Sequence, residues 1–152
     1  MGDICYFAYG SNLSIDRKEQ RTDAIRDARV ACLRGYRLAF NKPGARGEVY
    51  ANIVPSPEDM VWGVVYLCNP AAMASLDAYE GVSGGHYRRE PVEVHVRDGT
   101  IMMADVYIAS GKLLIENGRP SDSYLHRILQ GARQHGLPEQ HIRLIEQLAG
   151  RG

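Results

Sequence analysis

The chain has 152 residues, of which 45% are hydrophobic, and this is the size of one domain with enough apolar side chain for one core. Its 18 basic and 18 acidic residues balance without a block of either sign, which argues against a nucleic-acid-binding surface. The first apolar run is short and follows Asp3 without a basic residue, and no run reaches the ~18 apolar residues of a membrane helix. We therefore expect a single cytoplasmic domain over residues 1–152 that binds neither nucleic acid nor membranes.

The three cysteines, Cys5, Cys32 and Cys68, are far apart in the chain and lie among apolar neighbours. Their odd number and the lack of C-x-x-C spacing argue against a disulfide framework and against a zinc site. The five histidines also lack metal-ligand spacing. We therefore expect buried free thiols and no metal.

The first strand is predicted over residues 4–9, which are rich in aromatic and β-prone side chains. It runs into Gly10-Ser11-Asn12, a turn-forming sequence that comes at the carboxyl end of the strand. A polar stretch from Ser14 to about residue 24 indicates a short exposed helix. Residues 28–41, 50–54 and 60–68 are strand-like runs interrupted by glycine and proline, and residues between 41 and 49 form a predicted loop.

A helix is predicted from Asn69-Pro70 to Glu80, because asparagine caps helices and proline fits the first helical position. Gly81 suits the C-terminal cap. Met73, Leu76 and Glu80 are spaced three and four apart, so Glu80 ends the apolar stripe and lies next to the core.

The last part of the chain predicts a hairpin and two helices. Residues 87–109 alternate apolar side chains on both sides of Asp98-Gly99, which predicts a hairpin with a primed turn. Ser121 opens a helix that Gly136 closes, and Pro138 starts the final helix. Strands early and helices late indicate the α+β class, with a small mixed β-barrel flanked by helices.

The Gly10-Ser11-Asn12 turn and Glu80 predict a chemical function when they are taken together. A Gly-Ser-Asn turn is most often only structural, and a glutamate at a helix end is most often solvated or paired. A loop with consecutive free N–H groups, however, binds anions, and a carboxyl group beside the core titrates nearer to neutral pH. The pair therefore predicts a small-molecule acyl-transfer site.

The motifs resemble the γ-glutamylcyclotransferase family over nearly the whole chain. The resemblance is carried by Phe7-Ala8-Tyr9-Gly10-Ser11-Asn12-Leu13, Val61-Trp62-Gly63-Val64-Val65, Leu76-Asp77 with Glu80-Gly81-Val82, Gly85 and Tyr87, Pro120-Ser121 with Tyr124, Gly131-Ala132, and His135-Gly136-Leu137-Pro138. The Y-G-S-N loop is the most diagnostic of these motifs. The resemblance implies a small β-barrel with surrounding helices, and an enzyme that cyclises a γ-glutamyl group to 5-oxoproline and releases the free amine.

The resemblance also implies roles for individual residues. The residue matching Glu80 is the family's catalytic acid/base, and the matching loop, which binds the substrate, comprises Tyr9, Gly10, Ser11, Asn12 and Leu13. Tyr124 matches an active-site tyrosine, and Tyr87 is carried over as a further contact. The implied partner is a small γ-glutamyl substrate, and no cofactor is expected because ring closure is intramolecular. A homodimer is left open.

Two alternatives also stay open. One is a related cyclotransferase that acts on γ-glutamyl-amines or on a biosynthetic γ-glutamyl protecting group. The other is a non-catalytic binding module on the same fold, since one fold serves many functions. Glu80 argues against the module, because a binder requires no acid/base group. The loop N–H groups are expected to bind the substrate α-carboxylate or to polarise the γ-carbonyl, and both roles are retained.

Overall fold

The computed structural model describes residues 2–15, 24–109, 111 and 114–150. Within these residues a five-stranded barrel closes in the order β1-β3-β2-β4-β5. The strands are β1 (Ile4–Ala8), β2 (Ile25–Pro43), β3 (Val49–Cys68), β4 (Tyr87–Val96) and β5 (Ile101–Ala109). The helices are α1 (Pro70–Tyr79), α2 (Asp122–Gln134) and α3 (Glu139–Gly150). The predicted α+β class and small mixed barrel are confirmed.

Strand β1 is held between two partners, antiparallel to β3 and parallel to β5, where Tyr6 pairs with Asp105. Gly63 on β3 permits the close approach, because a Cβ added there would lie 2.2 Å from the Ala8 carbonyl oxygen. Phe7 and Val64 are fully buried in the core beside this contact. The carboxyl end of β1, and the loop that follows it, are therefore fixed to the barrel.

Strands β2 and β3 form one long hairpin where the sequence predicted three separate runs. The predicted runs 50–54 and 60–68 both belong to β3, and the register shifts where Arg34 pairs with Met60 and Tyr36 pairs with Pro55. Prolines are tolerated at such irregularities, so the strand continues through them. The predicted loop between residues 41 and 49 is shorter than expected and covers residues 44–48.

The β4–β5 turn is not the predicted primed turn. Gly99 has a φ of +98°, whereas Asp98 has no positive φ. The Gly99 N–H donates to the Val96 carbonyl at 2.9 Å, and the Val96 N–H donates to the Thr100 carbonyl at 2.8 Å. A three-residue loop with glycine in the left-handed region therefore closes this hairpin.

The helix ends agree with the sequence prediction. The Asn69 side-chain oxygen accepts the Ala72 N–H at 2.8 Å, and the Ser121 hydroxyl accepts the Tyr124 N–H at 3.3 Å. Gly81, with a φ of +67°, turns the chain just after α1. The helix predicted from Ser14 falls mostly on residues 16–23, which lie outside the described residues.

The cysteines are free thiols, and two of the three are buried. Cys32 and Cys68 are buried as predicted, but Cys5 is half-buried. The prediction is wrong for Cys5 because its side chain lies near the charged groups of Arg29 and Asp105 at the barrel surface. In the described part of the chain, no helix combines the length and the hydropathy that a membrane span requires.

Helix α2 packs directly on the loop that follows β1. A Cβ added to Gly131 would lie 2.5 Å from the Leu13 carbonyl carbon. Leu13 is fully buried at this contact, and the Arg127 Nε donates to the Ser11 carbonyl at 3.3 Å. The absence of a side chain at Gly131 therefore sets the distance between α2 and the loop.

Replacing Gly131 with alanine is expected to lower the free energy of unfolding by about 1–3 kcal/mol, the usual cost of adding a methyl group to a packed contact. Urea unfolding followed by circular dichroism measures the change. Gly150→Ala in α3 is the matched control, because nothing lies within 4 Å of a Cβ added there. Equal stability of the two variants would contradict the close packing of α2 on Leu13.

Candidate active site

A cavity of about 410 Å³ lies between the loop after β1, the end of α1 and the loop between β2 and β3. This volume is within the range of small-molecule sites. Seven of the eight predicted site residues line it, namely Tyr9, Gly10, Ser11, Asn12, Glu80, Tyr87 and Tyr124. Leu13 does not line the cavity, since its side chain is fully buried beneath α2.

Glu80 lies at the C-terminal end of α1 with its side chain half-buried in the cavity wall. Its N–H donates to the Leu76 carbonyl at 2.8 Å, so the helical hydrogen bonding continues up to this residue. The chain then turns sharply at Gly81, where an added Cβ would lie 2.7 Å from His86 Cδ2. The turn keeps Glu80 at the cavity instead of continuing the helix past it.

Burial raises the pKa of the Glu80 carboxyl group to about 7, because little water remains to stabilise the charged form. The Asn12 side chain acts in the opposite direction, since its Nδ2 donates to Glu80 Oε1 at 3.3 Å. The same Nδ2 donates to the Tyr6 hydroxyl at 2.8 Å. A carboxyl group with this pKa can both accept and donate a proton near neutral pH.

Asp77, one turn before Glu80, anchors α1 to the barrel. The Tyr107 hydroxyl donates to Asp77 Oδ1 at 2.7 Å, and Arg89 Nη1 lies 3.6 Å from the same oxygen. Arg89 also lies 3.5 Å from Asp105 on β5. Because residues three apart share one side of a helix, these contacts also orient Glu80. The spacing of three residues between Asp77 and Glu80 was the sequence signal for this orienting role. Asp77 was not among the predicted site residues.

Tyr87 and Tyr124 bind the two polar groups of Ala51 on β3. The Tyr87 hydroxyl donates to the Ala51 carbonyl at 2.7 Å, and the Tyr124 hydroxyl accepts the Ala51 N–H at 3.0 Å. Burial raises the pKa of both phenols, so both remain protonated. The Tyr87 hydroxyl proton is therefore engaged in the hydrogen bond to the Ala51 carbonyl, whereas the Tyr124 hydroxyl can still donate its proton to another acceptor.

Two further tyrosines line the cavity in different ways. The Tyr9 hydroxyl donates to the Tyr107 carbonyl at 2.7 Å, which fixes the end of β1 to β5. Tyr6 was not among the predicted site residues, yet it lines the cavity and packs edge-to-face on Tyr107 at a centroid distance of 5.4 Å. A buried tyrosine requires a hydrogen-bond partner for its hydroxyl. The presence of Tyr6 in the otherwise apolar β1 was therefore the sequence signal that could have identified it as a site residue.

The loop after β1 presents backbone donors at the cavity. Residues 11–14 form a 3-10 turn in which the Leu13 N–H donates to the Gly10 carbonyl at 3.0 Å. The first N–H groups of such a turn have no carbonyl in a preceding turn to bind. The N–H groups of Ser11 and Asn12 are therefore suited to an anion or a polarised carbonyl oxygen.

Comparison with known proteins identifies the family. A family model described as the AIG2-like family matches residues 60–145. The mouse protein named gamma-glutamylcyclotransferase is 36% identical over 141 residues, which are 90% of this chain and 73% of the mouse protein. The human protein of the same name is 36% identical over 149 residues, 93% of this chain and 78% of the human protein. The chain belongs to the γ-glutamylcyclotransferase family.

The structural comparison agrees with this family. A solved structure named gamma-glutamyl cyclotransferase superposes with a TM-score of 0.85 at 31% sequence identity, and the alignment covers 96% of this chain and 88% of that one. The family predicted from the sequence is thus confirmed. Within the described ranges of this γ-glutamylcyclotransferase-family chain, no group of three or more His, Cys, Asp or Glu side chains is arranged to hold a metal ion.

Asn12→Ala is expected to raise the pKa of Glu80 above its value of about 7. The hydrogen bond from Asn12 favours the charged carboxylate, so its removal leaves the desolvation of Glu80 unopposed. Carboxyl-carbon NMR of protein labelled at glutamate measures the pKa directly. Tyr36→Phe, outside the cavity lining, is the control. A lower or unchanged pKa in Asn12→Ala would show that the side chain does not stabilise the carboxylate.

Proposed function

We propose that this protein converts γ-glutamyl amino acids to 5-oxoproline and free amino acids, with Glu80 as the acid/base. Membership of the family supports the enzymatic activity expected from the sequence. The residue assignment rests on one observation, the half-buried Glu80 carboxyl group whose pKa of about 7 suits proton transfer at neutral pH. The single-domain organisation, the cytoplasmic location and a homodimer stay predictions.

The reaction forms a bond between the α-nitrogen and the γ-carbonyl carbon and breaks the γ-amide bond. An ammonium group cannot attack, so Glu80 as a carboxylate first removes a proton from it. The resulting carboxylic acid donates to the leaving nitrogen as the amide bond breaks. Two protons move in total from the attacking nitrogen to the leaving nitrogen, which departs as an ammonium group. Glu80 transfers them and ends as a carboxylate.

Positioning supplies much of the remaining acceleration. The attacking amine and the carbonyl belong to one glutamyl unit, and holding reacting groups in attack geometry contributes on the order of 7–11 kcal/mol. The N–H groups of Ser11 and Asn12 are suited to the γ-carbonyl oxygen, since Asn12 also contacts Glu80. The negative charge that develops on this oxygen during attack is then stabilised by preoriented donors.

Tyr124 is assigned to the substrate α-carboxylate. Its hydroxyl accepts from Ala51 and keeps its own proton for donation. A hydroxyl held by a backbone N–H is restricted in direction, so it orients the acceptor it binds. Gly10 lies beside this hydroxyl, since a Cβ added there would be in van der Waals contact with it at 3.7 Å.

Glu80→Gln is expected to lower kcat by ~10²–10⁴-fold, the range for loss of an acid/base group, with the fold intact. The assay follows 5-oxoproline and free alanine from γ-glutamyl-alanine. In the wild type, kcat/KM should rise with pH through about 7, because only the carboxylate form accepts a proton. Near-normal turnover by Glu80→Gln would remove Glu80 from the mechanism. If the wild type released no 5-oxoproline from a panel of γ-glutamyl amino acids and amines, the result would favour the non-catalytic binding module.

Tyr124→Phe is expected to lower kcat/KM by about tenfold, the lower end for a hydrogen bond to a charged group. The fold should be kept, because phenylalanine preserves the ring, although the Ala51 N–H loses its acceptor and the free energy of unfolding falls. Steady-state kinetics with γ-glutamyl-alanine measures the effect, and Tyr36→Phe serves as the control outside the cavity. If kcat and KM both stayed at wild-type values, Tyr124 would have a packing role only.

A further inference from the structure

A lysine lines the cavity on an element other than the loop that follows β1. Lys42 comes near the end of β2 and pairs with Tyr50, whereas Phe40 pairs with Ala51, so one extra residue, Asn41, interrupts the ladder between them. Such bulges redirect the side chains beside them. The Lys42 side chain is half-buried and lines the cavity.

The ammonium group of Lys42 is held in place but not neutralised. Its Nζ donates to the Pro43 carbonyl at 2.9 Å and lies 3.4 Å from His86 Nδ1. These contacts account for two of its three N–H donors. Among the described residues, no carboxylate forms an ion pair with Lys42.

The cavity-lining carboxylate that is close to Lys42 in the sequence already has other partners. Glu48 lines the same cavity, and its Oε1 accepts the Arg46 N–H at 2.6 Å. Its Oε2 accepts the Tyr50 hydroxyl at 3.3 Å. Of the cavity-lining residues in the described ranges, Lys42 is the one lysine or arginine.

The Lys42 ammonium group and the turn that follows Glu80 have a common neighbour, His86. His86 connects the two, since its Nδ1 is near Lys42 and its ring packs against Gly81, the residue after Glu80. The neighbours Ala45 and His86 are exposed, so this is the mouth of the cavity. In the proposed reaction the leaving amine takes its proton from Glu80 and departs through the mouth.

We propose that Lys42 binds the α-carboxylate of the leaving amino acid and so makes the site selective for γ-glutamyl amino acids over γ-glutamyl-amines. The inference rests on the proposed cyclotransferase activity. In a γ-glutamyl amino acid this carboxylate is separated from the leaving nitrogen by one carbon atom. A γ-glutamyl-amine has no such group and leaves the Lys42 ammonium without an anionic partner.

The test uses two substrates that differ only in this carboxylate. γ-Glutamyl-alanine and γ-glutamyl-ethylamine both yield 5-oxoproline, and removal of the alanine carboxylate gives the ethylamine compound. Wild-type enzyme should prefer the alanine compound, and Lys42→Gln should lower its kcat/KM by about tenfold, mainly through KM, because one hydrogen bond to a charged group is lost. Turnover of the ethylamine compound by Lys42→Gln should match wild type, which also shows that the variant is folded.

Two further variants distinguish direct binding of the carboxylate at position 42 from a general effect of positive charge near the cavity. Lys42→Arg keeps the cation at the same position and should retain most of the preference for the alanine compound. Arg46→Gln removes a cation from the loop that follows β2, outside the cavity lining, and its kinetics should match wild type.

Three outcomes would overturn the inference. If Lys42→Gln lowered kcat/KM equally for both substrates, Lys42 would contact the glutamyl part that they share or would support the fold. Equal wild-type turnover of both substrates would show that the carboxylate is not recognised. In both cases the proposed function would stand, because 5-oxoproline is still produced. If neither substrate yielded 5-oxoproline, the proposed function would be overturned, and the inference with it.

Discussion

The hydrogen bond from Asn12 to the Glu80 carboxyl group joins two segments that are 68 residues apart in the chain. One segment is the loop that follows β1, and the other is the end of α1. The loop is fixed by α2, where Gly131 lies against Leu13. The geometry of this one contact thus depends on the packing of α2 on the loop as well as on the position of α1.

The position of α1 depends in turn on charge pairing outside the cavity. Asp77 binds the Tyr107 hydroxyl and lies near Arg89, and both partners belong to the β4–β5 hairpin. This arrangement holds Glu80 where burial disfavours its charge. A pKa raised from 4.5 to about 7 corresponds to a free-energy cost on the order of 3 kcal/mol for the ionised form. Such a cost is a substantial part of the stability of a small protein, so the surrounding contacts must offset it.

The cavity combines two regions with different physical character. The inner region contains backbone N–H groups and tyrosine hydroxyls, which are neutral donors held by the barrel and by α2. The rim contains the charged residues Lys42 and Glu48 on the β2–β3 hairpin. Neutral, rigid donors suit a group common to all substrates, whereas a charge at the mouth suits a group that differs between them. Chemistry and leaving-group selectivity can therefore reside on separate elements.

The sequence by itself determined the features that depend on near neighbours. Asn69 and Ser121 cap their helices through residues three positions away, and the position of Glu80 at the end of the apolar stripe followed from helical spacing. The Gly10-Ser11-Asn12 turn after β1 was also evident from the order of its residues. Tertiary structure decided the rest: the continuous β2–β3 hairpin, the half-buried Cys5, the Asn12–Glu80 contact, and the place of Lys42 at the cavity. These features depend on barrel closure and on strand register, which bring together residues that are distant in the chain and that no local pattern relates.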